Sequence, residues 1–110
     1  MHTLKSKLDA LVQSLDSNHA DNIVVIDVSS QTSFTDFMII CSARSSRHMR
    51  SITEHVISEM RAIELHSSGH QGTSEGEWAL IDFSDFIVNI MLPSARDFYN
   101  LEGLWQPANA

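Results

Sequence analysis

A chain of 110 residues with 43% hydrophobic content has room for one modest core, which excludes a catalytic domain paired with a separate substrate domain. Its formal charge of −7, with seven Lys and Arg against fourteen Asp and Glu, leaves little to neutralise phosphates. Direct nucleic-acid binding is therefore disfavoured, and attraction to a basic protein partner is favoured.

Leu4, Leu8, Leu11, Val12 and Leu15 recur at helical spacing, with Lys5, Lys7, Asp9 and Gln13 opposite them. This predicts an amphipathic first helix within residues 1–20. A polar turn over Asp16–Asn22 precedes "NIVVIDV" (22–28), whose β-branched residues predict a buried strand. After the polar connection "SSQTSFT" (29–35), a second strand is predicted over "DFMIICS" (36–42). The single cysteine, Cys41, lies in that apolar run. It cannot form an internal disulfide and reads as a small buried hydrophobe of a reducing compartment.

"ARSSRHMRS" leads into the longest helix, with Ser45 or Ser46 as N-cap. Met49, Ile52, Val56, Met60 and Ile63 form its buried stripe, and its end is expected near Leu65–His66. "SSGHQGTSEGE" (67–77) is a loop with room for a short edge strand. Two strands follow, "WALIDF" and "FIVNIML", joined by a tight turn at Ser84-Asp85. Pro93 stops the second, and "SARD" (94–97) has the form of a capping signal. A short helix is expected next, with Phe98 and Leu101 on one side and Gly103 as its stop, before a tail over 106–110.

The order α-β-β-α-(β)-β-β-α predicts a single α/β (α+β) domain over 1–110, with a mixed or antiparallel sheet covered by helices on one face. A basic-then-apolar leader and an apolar run near 18 residues are both absent, so a soluble, cytoplasmic protein is expected.

The hairpin carries more information. With Ser84-Asp85 as the turn, Phe83 opposes Phe86, Asp82 opposes Ile87, Leu80 opposes Asn89 and Trp78 opposes Met91. Alternation then gathers Ala79, Ile81, Phe83, Phe86, Val88 and Ile90 on a core face. The other face collects Trp78, Leu80, Asp82, Ile87, Asn89 and Met91, an apolar-polar mixture typical of a protein-binding patch. Burying Asp82 or Asn89 without partners would cost about 1–3 kcal/mol each, more for the charge. Either a partner protein meets this face, or a helix of the same chain covers it and bonds Asn89.

Catalytic chemistry finds weaker footing. His66 and His70 lack a Cys or carboxylate to complete a tetrahedral set, and His48 and His55 read as lining the exposed side of the long helix. No metal or cofactor is expected. Asp27, Asp36, Asp82 and Asp85 stand at strand ends and could converge on Mg²⁺. A divergent Mg-dependent nucleotidyl-transfer enzyme is thus the best enzymatic alternative, although no GxxxxGK[ST] loop or Asp-x-Asp pair accompanies it. The basic segment Ser45–His48, flanked by Arg44 and Arg50, reads as capping with solvated charge. Phe98, Tyr99, Leu101 and Trp105 suit packing of an end segment or an interface.

Three ordered motifs, "TDFMIICSARSSRHMRSI", "EWALIDFSDFIVNIM" and "RDFYNLEGLW", together resemble the ribosomal silencing factor (Iojap-related) family from about Asp21 to Trp105. The resemblance implies a homodimer-forming domain, similar in fold to nucleotidyltransferases but without their activity. It implies binding to the large ribosomal subunit through ribosomal protein L-fourteen, which blocks subunit joining and represses translation when nutrients are short. A role in or near large-subunit assembly is implied too, as is a bacterial, cytoplasmic member. Asp36, Ser45, Ser46, Arg47, Trp78, Asp82, Asp85, Arg96, Tyr99, Leu101, Glu102 and Trp105 match family motif positions. Ser84 stands where the family has its turn glycine, Gln71-Gly72 where it has Glu-Gly, and Asn89 where it has a histidine. An amide can replace a histidine as a hydrogen-bonding group but not as an acid or base. Trp78, Leu80, Asp82, Asn89 and Met91 are therefore expected to contribute to docking, with Asp85, Arg96 and Tyr99 at the rim.

Overall fold

The two long helices are defined by how they begin and end. The computed structural model describes residues 3–72 and 76–105, and in it α1 spans Leu4–Ser17 and α2 spans Ser46–Arg61. Thr3 Oγ1 accepts from the Ser6 N–H at 3.1 Å, and Ser45 Oγ accepts from the His48 N–H at 3.0 Å, so each helix has a hydroxyl cap. At the far end of α1 the Ala20 N–H donates to the Leu15 carbonyl and the His19 N–H to Asp16. The end of α2 repeats this pattern, Leu65 to Met60 and Glu64 to Arg61. Both are Schellman closures, with His19 (φ 67°) and Glu64 (φ 65°) in the left-handed position. That closure stops α2 at Arg61 rather than near Leu65–His66, because Glu64 turns the chain so that buried Leu65 returns beneath Met60.

The strands are β1 (Asp21–Asp27), β2 (Phe37–Ser42), β3 (Gly69–Gln71), β4 (Trp78–Asp82) and β5 (Phe86–Met91), in the sheet order β1-β2-β5-β4-β3. Only β2 and β5 run parallel, so the sheet is mixed. The short edge strand allowed within 67–77 is β3, while part of that loop, residues 73–75, lies outside the described residues. β1 is not the buried strand expected. With a neighbouring strand on one side only among the described residues, it turns Val25 outward and buries Ile26.

One face carries Ile39, Cys41, Ala79, Ile81, Phe83, Phe86, Val88 and Ile90 against α1 and α2. These include every residue assigned above to the hairpin's core face. The expectation of helices on one face alone is corrected by the second cluster, Ile26, Val28, Met38, Ile40, Met91 and Ala95. β2 is apolar on both sides, so its Met38 and Ile40 require cover as much as Ile39 and Cys41 do. The cover comes from α3 (Pro93–Tyr99) and α4 (Leu101–Trp105), which bring Ala95, Leu101 and Trp105.

The C-terminal helix also differs from expectation. Pro93 occupies its first turn and Leu92 is the N-cap without a side-chain bond, so "SARD" serves no capping role. Asn100, left-handed at φ 48°, splits the segment in two, and Gly103 lies inside α4 instead of ending a helix. The tail over 106–110 lies outside the described residues. Among those described, no helix is long and apolar enough to cross a membrane.

Candidate functional site

The β4–β5 hairpin has the register read from its sequence: Trp78 faces Met91, Leu80 faces Asn89 and Asp82 faces Ile87. Its turn is closed by the Phe83 N–H donating to the Phe86 carbonyl at 2.8 Å and the Asp85 N–H to the Phe83 carbonyl at 2.9 Å. Ser84, at the apex, has φ 71°, the region glycine occupies without steric cost. Asp82 Oδ1 accepts from the Ser84 N–H at 2.8 Å and steadies it. The Asp85 carbonyl receives the Asp36 and Phe37 N–H groups at 3.1 and 3.0 Å, which fixes the turn to the start of β2.

On the mixed face, Asn89 is only 2% exposed and Met91 is fully buried, whereas Trp78, Leu80, Asp82 and Ile87 are half-buried. The amide has no helix partner; its own sheet satisfies it. Asn89 Oδ1 accepts from the Trp78 indole N–H at 2.9 Å, and Asn89 Nδ2 donates to Met38 Sδ at 2.9 Å. The Tyr99 ring lies 5.0 Å from that of Trp78, and Phe98, 81% exposed, meets Tyr99 edge-on at 5.0 Å. Further along, exposed Phe34 meets Trp105 edge-on at 6.4 Å. Leu80 stands between two shallow depressions of about 270 and 320 Å³, the first shared with Gly69, Gln71 and Asp82 and the second with Gln71, Gly72 and Trp78.

Arg96 sits differently from its expected place at a rim. It is buried, its Nε and Nη2 donating to the two oxygens of Glu102 at 3.0 and 3.2 Å and its Nη1 to Ser42 Oγ at 2.9 Å. The guanidinium thus fastens α3 to both α4 and β2. Trp105 is held by Gln31, whose Nε2 donates to its carbonyl at 2.9 Å, and Leu101 is half-buried in the second core cluster. Ser45 is the α2 cap, Ser46 Oγ donates to the Gly76 carbonyl at 2.9 Å, and Arg47 is exposed. His48 does not line an open face: Nδ1 accepts from the Arg44 N–H at 3.0 Å and Nε2 reaches the Asn18 carbonyl at 3.1 Å. His55 is exposed.

Asp27, Asp36, Asp82 and Asp85 do share one end of the sheet, since Asp27 pairs with Phe37, Phe37 with Phe86, and Asp82 with Ile87. Two of the four close local turns. Asp27 accepts from the hydroxyl and N–H of Ser29 at 2.6 and 2.9 Å, which holds its carboxyl below the usual carboxylate range, and Asp82 serves Ser84. Among the described residues, no three His, Cys, Asp or Glu are grouped so as to hold a metal ion. Cys41 is buried, and desolvation pushes its thiol up to about 12 with Arg96 opposing the shift in part, as a packing residue requires.

Sequence reasoning missed Met38, Ser42 and Phe34. The first two reach Asn89 and Arg96 only because β2 pairs in parallel with β5, placing Ile40 beside Asn89 and Ser42 beside Met91.

The family model described as "Ribosomal silencing factor during starvation" matches residues 1–110. The chain is 35% identical over 98 residues to ribosomal silencing factor RsfS of Haemophilus influenzae, covering 89% of this chain and 96% of that protein. It is 30% identical over 104 residues to the mouse "Mitochondrial assembly of ribosomal large subunit protein 1", covering 92% of this chain and 46% of that longer protein. A crystal structure of a Chromobacterium violaceum protein superposes with a TM-score of 0.90 at 27% identity, over 97% of this chain and 92% of the other. Two core faces, a satisfied buried amide and the matching family thus describe one object: the chain belongs to the family of ribosomal silencing factors during starvation.

Proposed function

We propose that the chain docks on the large ribosomal subunit through a basic ribosomal protein, L-fourteen, and sterically blocks joining of the small subunit when nutrients are limiting. The observation that carries this reading is the composition of the hairpin face. Trp78 and Leu80 offer apolar surface beside Asp82, and no Lys or Arg occurs between Arg61 and Arg96. That is the chemistry a basic protein surface requires. Trp78, Leu80 and Asp82 make the contact, with Asp85 and Tyr99 at its rim. Asn89 and Met91 lie beneath and hold Trp78 in place, and Arg96 holds the helices beside it. Occlusion of the joining face needs no catalytic group, so the protein acts in the cytoplasm as a repressor and not as an enzyme. We extend the reading to a homodimer, and to a part in large-subunit assembly on the strength of the mouse relative's description.

The nucleotidyl-transfer alternative has one observation in its favour, the four aspartates at one end of the sheet; it is weakened because Asp27 and Asp82 close their own turns. The test is co-sedimentation with isolated large subunits, paired with a subunit-joining assay. The double change Asp82→Lys and Asp85→Lys is expected to weaken binding by about tenfold or more, corresponding to at least 1.4 kcal/mol. Unimpaired joining at an excess of the unaltered protein would overturn the reading.

A further inference from the structure

The sheet has two edges, and only one is defended. At β1 the register shifts between Asp21 and Val24, and Asn22 takes φ 50°, an irregularity that discourages strand pairing. At the other edge lies β3, Gly69–Gln71, exposed throughout and free of proline, lysine or any positive φ. β4 lies on one side of it and, among the described residues, no strand lies on the other. Part of its backbone N–H and C=O groups therefore faces outward unpaired.

This open edge is continuous with the docking face. Gly69 pairs with Asp82 and Gln71 with Leu80, so these four share one side of the sheet and line the depressions beside Leu80. A Cβ at Gly69 would meet nothing within 4 Å, and Gly69 lines the same open depression as Asp82, so the way from the edge toward Asp82 is clear at Gly69. A strand laid against β3 would stand two strand spacings from β4, about 10 Å. A lysine or arginine on it could cross the gap above Gly69 to Asp82.

We infer that the partner docks by strand addition: an extended, basic segment of it pairs with β3 and continues the sheet, its alternate cationic side chains reaching over Gly69 to Asp82. This rests on the docking reading above and specifies its geometry. A second copy fits the edge poorly, because its own β3 and the chain around it, from Ala62 to Ala95, hold no Lys or Arg to bring to Asp82.

The test combines hydrogen exchange with two variants, using the full chain and isolated large subunits. Binding is expected to slow exchange in the fragment covering 66–72. Gly69→Lys, which fills that depression with like charge toward a basic strand, is expected to weaken binding by about tenfold. Gly69→Ala should stay within about twofold, since it adds one methyl to open space. Binding that leaves 66–72 unprotected, or that Gly69→Lys leaves unchanged in a folded protein, overturns strand addition while leaving large-subunit docking intact. Protection of 66–72 that grows with the protein's own concentration assigns the edge to a second copy and also overturns it. No binding by the unaltered protein overturns both readings.

Discussion

The indole N–H of Trp78 and the side-chain oxygen of Asn89 meet at 2.9 Å across the β4–β5 ladder, diagonally and two residue pairs off direct opposition. Asn89 is thereby the internal brace of the most prominent half-exposed ring on the hairpin face. Asn89→Leu removes the acceptor, leaves the indole N–H without its partner, and should cost about 1–3 kcal/mol. Asn89→His restores an acceptor and should cost less than Asn89→Leu. Urea unfolding followed by tryptophan emission measures both, and equal losses for the two variants would refute the bracing role.

Arg96 joins three elements, and its removal should be felt in all of them. Arg96→Met leaves Glu102 and Ser42 without their donor and should destabilise by about 1.5–3 kcal/mol, the range for hydrogen bonds to charged groups. Glu102→Gln keeps one acceptor and should cost less. The informative readout is the Trp105 indole signal in an NMR spectrum, which should broaden or shift in Arg96→Met. An unchanged Trp105 environment would mean that α4 is held by its aromatic contacts alone.

Three left-handed residues other than glycine close α1, α2 and the hairpin: His19, Glu64 and Ser84. The left-handed conformation costs a non-glycine residue about 1–2 kcal/mol, partly offset by the greater unfolded-state freedom of glycine. Ser84→Gly should therefore raise stability by about 0.5–1 kcal/mol, with an unchanged urea m-value. Ser84→Val, branched at the same position, should lower it. A neutral or destabilising Ser84→Gly would show that the Asp82 bond already compensates the strain.

Cys41 makes a pH-dependent prediction. Its thiol is raised by burial from 9.0 to about 12, so above pH 9 the unfolded chain releases this proton while the folded chain keeps it. The stability contributed by this site is complete below pH 9 and declines as pH climbs toward 12. Cys41→Ala should lack that decline, although other groups titrate in both proteins. Thiol labelling at pH 8 should be slow in the native state and rapid in urea. Fast native labelling would contradict the packing described.

What the sequence made legible follows from how local each signal is. The hairpin register could be read in full, because strict alternation on both sides of a two-residue turn admits few pairings. The start of α2 at Ser45 is equally local, whereas the Thr3 cap of α1 went unread. The strand order was not legible, because nothing near "FMIIC" states that its central neighbour lies beyond α2. That one ignorance explains most of the discrepancies. It hid Met38 as the acceptor for Asn89, Ser42 as the partner of Arg96, and the second apolar face that draws α3 and α4 beneath the sheet. The break at Asn100 was missed for another reason. Asparagine enters the left-handed region more readily than most residues, but composition does not say where it will.

The parallel β2–β5 pair also sets the order of events during synthesis. β2 leaves the ribosome roughly 50 residues before the strand that must lie beside it, a separation that makes closure slow relative to local hairpins. At typical elongation rates its doubly apolar run waits about 3–10 s for that neighbour. The nascent chain therefore passes through a stage in which α1, β1, β2 and α2 exist without a finished sheet. The protein's own completion depends on its last third, the same third that carries Trp78, Leu80 and Asp82, proposed to meet the ribosome.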